Sequence, residues 1–136
     1  MKDYVLDANA LVRFFRDYEG AAKIGDLLTQ ADKGQAALRI SAVNLAEVLY
    51  ISARYVGLES AQQKIETLRS LIEFVPAGDE EAQAAAKLKH NYKLGLADCF
   101  AAELALRHNA TLVTADPEFA KLGKQLKILA LPRHTA

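Results

Sequence analysis

Asp7, Glu47, Asp98 and Asp116 are the residues whose type and setting could do chemistry. Asp7 directly follows the apolar run Tyr4-Val5-Leu6. Asp116 comes just after Thr111-Leu112-Val113-Thr114. Glu47 is the only charged residue between Ser41 and Ala53, and an ionised Glu is almost never fully buried without a partner. Asp98 opens the apolar stretch Ala97-Asp98-Cys99-Phe100-Ala101-Ala102. Each acid also has a plain structural explanation. Asp7 and Asp116 can cap the helices that follow, and Pro117 suits a first helical position. Asp98 suits the positive end of a helix dipole. Glu47 can share a solvent-facing stripe with Asn44, three residues earlier. Glu103, in the same helix as Asp98, is a further candidate with less telling surroundings. The set says more than its members. If the first and fourth strands are neighbours, Asp7 and Asp116 emerge side by side at one sheet edge. Packed carboxylates repel, and one takes a proton unless a cation is present. An all-oxygen site suits Mg²⁺ or Mn²⁺. His90, His108 and His134 show no zinc-ligand spacing. A hard cation lowers the pKa of a bound water and stabilises in-line displacement at phosphorus. The chemistry expected is metal-dependent phosphodiester hydrolysis, with the four carboxylates as ligands, direct or through water.

The elements that must position these acids alternate strand and helix. Short apolar runs at 4–6, 38–40, 74–75, 111–114 and 126–129 predict five strands. Helical spacing predicts helices over 8–16, 21–33, 41–56, 59–71, 79–92 and 97–109, with a short turn at 116–118. Ser41 and Asp79 are expected N-caps, and Gly57 a helix stop. The helix after Ser41 is apolar nearly all round and is expected to be largely buried. Strands separated by helical crossovers imply an α/β fold, a parallel sheet with helices on both faces. Ligands in such sheets bind beyond the carboxyl ends of the strands, where Asp7 and Asp116 stand.

Composition narrows the field. The 136 residues suit one domain, 1–136, and no internal repeat or linker is visible. One Cys excludes an internal disulfide framework and fits a reducing, cytoplasmic setting; Cys99 reads as an inert core residue. No apolar run is long enough to span a membrane, and Met1-Lys2-Asp3-Tyr4 opens a strand rather than a signal peptide. Lys and Arg total 17 against 17 Asp and Glu, which at first argues against a nucleic-acid partner. The distribution says otherwise. Lys87, Lys89, His90 and Lys93 form an acid-free stretch, as do Lys121, Lys124, Lys127, Arg133 and His134. These are solvated faces or a rim for RNA phosphates. Arg13 and Arg16, on the helix after Asp7, are further phosphate candidates. Tyr18, Tyr50, Tyr55 and Tyr92 suit either packing or base stacking. The apolar surfaces of 42–56 and 59–72 exceed what one small sheet covers, which predicts helix-mediated dimerisation.

Four stretches together carry a family resemblance: Val5-Leu6-Asp7-Ala8-Asn9-Ala10-Leu11-Val12, Ile40-Ser41-Ala42-Val43-Asn44-Leu45-Ala46-Glu47-Val48, Leu94-Gly95-Leu96-Ala97-Asp98-Cys99-Phe100-Ala101-Ala102, and Thr111-Leu112-Val113-Thr114-Ala115-Asp116 with Phe119. In order and at this spacing they resemble PIN-domain ribonucleases, and within them the VapC-type toxins of toxin–antitoxin pairs. The resemblance implies a five-stranded parallel sheet, Mg²⁺ or Mn²⁺, and endonucleolytic cleavage of RNA. It also implies a cognate antitoxin and a homodimer. Carried over by position, the family's acidic site falls on Asp7, Glu47, Asp98 and Asp116, with Asn9 and Thr114 supporting metal or phosphate. Ala8 departs from the pattern, which often has a hydroxyl residue there. Two other readings stay open: a PIN nuclease of RNA processing without a toxin role, and a non-catalytic module binding RNA or protein.

Overall fold

The computed structural model describes residues 1–132, so Arg133 and His134 lie outside the described residues. β1 (Lys2–Leu6) occupies the centre of a five-stranded sheet. β2 (Ala36–Ser41) and β3 (Ile72–Val75) lie on one side of it, and β4 (Thr111–Thr114) and β5 (Lys127–Ala130) on the other. The order is β3-β2-β1-β4-β5, with every pairing parallel. Leu6 stands opposite Val113, so the first and fourth strands are indeed neighbours, and strand order reverses between them.

Successive strand residues bury on opposite faces, as a sheet covered on both sides requires. Leu6 and Val113 join Leu11, Ile24, Leu27, Ile40 and Val48 in one core. That core lies under α1 (Ala8–Arg16), α2 (Ala21–Asp32), α3 (Ala42–Val56) and α4 (Leu58–Glu66). Val5 and Leu112 face the second core, with Cys99, Leu104 and Phe119. It lies under α5 (Asp79–Tyr92), α6 (Leu96–Arg107) and the 3₁₀ segment Pro117–Gln125. Cys99 is fully buried there, as expected of a core thiol.

Three expectations are corrected. α3 is not largely buried: only Asn44, Val48 and Ser52 are. Its apolar residues surround the helix, but the sheet covers one stripe, and Tyr50 remains 64% exposed. Second, α4 stops at Glu66, and Ile72 belongs to β3 rather than to an amphipathic helix reaching 71. Third, the N-cap of α5 is Gly78, whose N–H donates to Glu81 Oε1 at 2.7 Å; Asp79 is the first helical residue.

Candidate active site

Four separate elements deliver the predicted acids to one place. A cleft of about 390 Å³ at the carboxyl end of the sheet is lined by Asp7, Glu47, Asp98 and Asp116, with Asn9, Arg13 and Ile51 among its other walls. Asp7 follows β1, Glu47 lies in the second turn of α3, Asp98 in the first turn of α6, and Asp116 follows β4.

Capping and cleft-lining turn out to be compatible roles. Asp7 Oδ1 accepts from Ala10 N at 2.8 Å and so caps α1, while Oδ2 accepts from the Thr114 hydroxyl. Thr114 Oγ1 in turn accepts from Asp116 N at 2.9 Å, and Asp116 Oδ1 accepts from Glu118 N at 2.9 Å. Thr114 therefore ties the ends of the two central strands together. Asp98 is accommodated by Gly95, where a Cβ would stand 3.2 Å from Asp98 Oδ2.

The electrostatics follow from burial and like charge. Asp7 is 3% exposed. Burial pushes its carboxyl up to about 7; the Thr114 and Ala10 hydrogen bonds oppose the shift, and the Asp98 and Asp116 charges add to it. Partial burial, then the charges of Asp116, Glu47 and Glu118, raise Asp98 to about 6. Two carboxyls are thus held partly protonated near neutral pH, the condition that a divalent cation relieves. Among the described residues, no three Asp, Glu, His or Cys side chains stand tightly enough to hold one ion as they are. The all-oxygen set still fits Mg²⁺ or Mn²⁺, because Mg²⁺ usually keeps several waters and takes one or two carboxylates.

A model of the PIN domain matches residues 4–125. The chain belongs to the PIN-domain family. PIN domains are generally nucleases. No curated protein matches this one. Solved structures with the same fold include VapBC2 from Rickettsia felis bound to a DNA fragment from its promoter. That match has 22% identity and a TM-score of 0.73, covering 96% of this chain and 99% of that one. DNA-bound VapBC from Salmonella typhimurium gives 18% identity, a TM-score of 0.73, and coverage of 96% and 98%. VapBC-1 from nontypeable Haemophilus influenzae gives 19%, 0.71, and coverage of 94% and 97%.

Other predicted residues of this PIN domain fall elsewhere. Glu103 points away from the cleft and pairs with Arg107 at 2.7 Å. Arg13 borders the cleft, but its Nε donates to Asn9 Oδ1 at 2.9 Å, and its Nη1 to Glu19 O at 2.9 Å and Pro132 O at 3.0 Å. It is a structural tie with little surface left for phosphate. Lys87, Lys89 and Lys93 do not line the cleft, and Lys89 Nζ donates to Leu94 O at 2.9 Å. Glu118 contributes to the acidic field and was not singled out from the sequence. Its place one residue after Asp116-Pro117 was the available signal. Among the described residues no helix is long and apolar enough to cross a membrane.

Proposed function

We propose that this chain is one PIN domain acting as a Mg²⁺- or Mn²⁺-dependent endoribonuclease, the toxin of a toxin–antitoxin pair in the cytoplasm. The observation that carries the reading is the convergence of four carboxylates, from four elements, on one cleft whose two most shielded members resist ionisation. Capping accounts for Asp7 and Asp116, but not for Glu47, which lies mid-helix and faces the same cleft.

Asp7, Glu47, Asp98 and Asp116 would hold the cation, directly or through water. Bound there, it supplies the positive charge that lowers the pKa of a water and stabilises phosphoryl oxygens. The chain's own residues supply the rest. The Thr114 hydroxyl and Ala10 N–H fix the Asp7 carboxylate. Thr114 also orients the Asp116 backbone, and Asn9, held by Arg13, borders the phosphate's approach. Lys87 and Lys89 on α5 and Lys93 just after it stand outside the cleft lining and would meet RNA phosphates beyond the cut site. Several solved structures that resemble the chain are of toxin–antitoxin complexes, which favours an antitoxin protein as partner; RNA as substrate rests on the family resemblance. The exposed apolar residues of α3 and α4 favour a homodimer.

Labelled RNA incubated with pure protein tests the reaction. Cleavage is expected with Mg²⁺ or Mn²⁺, and its loss is expected with EDTA or in Asp7→Asn. Equal cleavage in all samples would sink the metal mechanism.

A further inference from the structure

Asn44 is a fully buried polar residue with no task in the proposed reaction. It lies in the first turn of α3, three residues before Glu47, with no exposed surface. Its Nδ2 donates to Ala97 O at 3.0 Å, the carbonyl just before Asp98, and lies 3.4 Å from Glu47 Oε1. Both neighbours are acceptors, so they settle which end of the amide faces them. The other end, Oδ1, is the one buried side-chain N or O atom among the described residues with no hydrogen-bond partner.

An unpaired buried acceptor is destabilising, because its lost hydration is not replaced. An apolar side chain of similar size, such as Leu, avoids this cost and is a better helix former. Stability alone therefore does not call for an amide here. What the amide supplies is a tie between α3 and α6, which pack on opposite faces of the sheet and meet above its carboxyl edge. Each helix brings one acid to the cleft, and the like charges of Glu47 and Asp98 push against each other.

We propose that Asn44 is a positioning residue whose amide sets Glu47 on α3 against Asp98 on α6 and so shapes the carboxylate cleft. The role rests on the metal-dependent reading above. Residues that orient metal-binding groups typically contribute about 10–100-fold in affinity. The amide also places a donor beside Glu47 Oε1, which limits the directions that carboxylate can take.

Calorimetric titration with Mn²⁺, beside thermal unfolding in EDTA, separates positioning from simple packing. Asn44→Leu is expected to bind Mn²⁺ at least about 10-fold more weakly, with a metal-free Tm equal to or above that of the wild type. A lowered metal-free Tm with unchanged Mn²⁺ affinity would mark a packing role and overturn the proposal. Unchanged affinity at any Tm overturns it equally. If the leucine variant does not fold, Asn44→Ala, small and helix-favouring, is read by the same two measurements. A wild type that gives no Mn²⁺ signal overturns the metal reading, and the positioning role with it. A wild type that binds while both variants bind equally well overturns the positioning role alone.

Discussion

Asp7 and Asp98 make stability depend on pH in a direction opposite to that of most native carboxylates. A carboxyl whose folded pKa lies above its unfolded value binds its proton more tightly in the fold. Its stabilisation is complete below the unfolded pKa of 3.8 and is lost as pH rises through the folded pKa, about 7 for Asp7 and about 6 for Asp98. In EDTA, Tm is therefore expected to fall between roughly pH 4 and 7 beyond the trend set by other groups. Mn²⁺ should remove that fall, and Asp7→Asn should flatten it, because Asn carries no proton to lose. Differential scanning calorimetry across this range checks the sign; a Tm that climbs through it in EDTA would contradict buried, unrelieved carboxyls. Much of this site was legible at the residue scale. Asp7 and Asp116 stand next to strand-forming runs, and Glu47 is a lone charge in apolar surroundings. Asn44 was legible only as a neighbour of Glu47 on a supposed solvent stripe. Its burial and its bond to Ala97 depend on how two helices meet, across 53 positions of sequence.

At the scale of elements, period and composition located the helices and strands but not which faces are covered. α3 illustrates the reason. Apolar residues all round a helix report how much surface could be buried, whereas the partners available decide how much is. Only the stripe of Asn44, Val48 and Ser52 meets the core. The boundary of α4 failed differently: Leu68 and Ile72 continue a helical period, but Ile72 pairs with Leu38 at the sheet edge, and strand pairing prevails over local pattern. Arg13 carries the same lesson. Its position on the helix after Asp7 suggested a phosphate contact, yet the structure commits it to carbonyls of Glu19 and Pro132, joining α1, the α1–α2 turn and the segment just after β5. Arg13→Met keeps the length of the side chain and removes these bonds. Hydrogen bonds to charged groups contribute about 1.5–3 kcal/mol each, so a loss of about 2 kcal/mol or more is expected by urea unfolding. The salt dependence of RNA binding should stay as it is, because no phosphate contact disappears. Unchanged stability with a shallower salt slope would return Arg13 to the RNA.

For the whole molecule, zero net charge conceals a local concentration of acid. Four of the 17 acids line the cleft, while α5 carries Asp79, Glu80 and Glu81 along with its lysines and Lys121 pairs with Glu118. Without a divalent cation such a cleft repels the phosphate it would cleave, so balance in the total is compatible with an RNA-cutting enzyme. The distribution of apolar surface is equally uneven. Tyr50 is 64% exposed, Tyr55 56% and Leu58 57%, all on α3 or α4. Single exposed apolar residues are ordinary, but several on two consecutive helices form the kind of surface that a second copy covers. A twofold dimer uses the same patch on both chains, so one substitution alters the interface twice. Tyr50→Glu places a charge where the monomer already meets water, and exposed substitutions usually change stability by less than about 0.5 kcal/mol. Light scattering at micromolar concentration is therefore expected to give twice the mass of one chain for the wild type and a single-chain mass for Tyr50→Glu, with the variant's secondary structure intact. A wild type that scatters as one chain counts against the homodimer and leaves the exposed face of α3 and α4 available to a different protein partner.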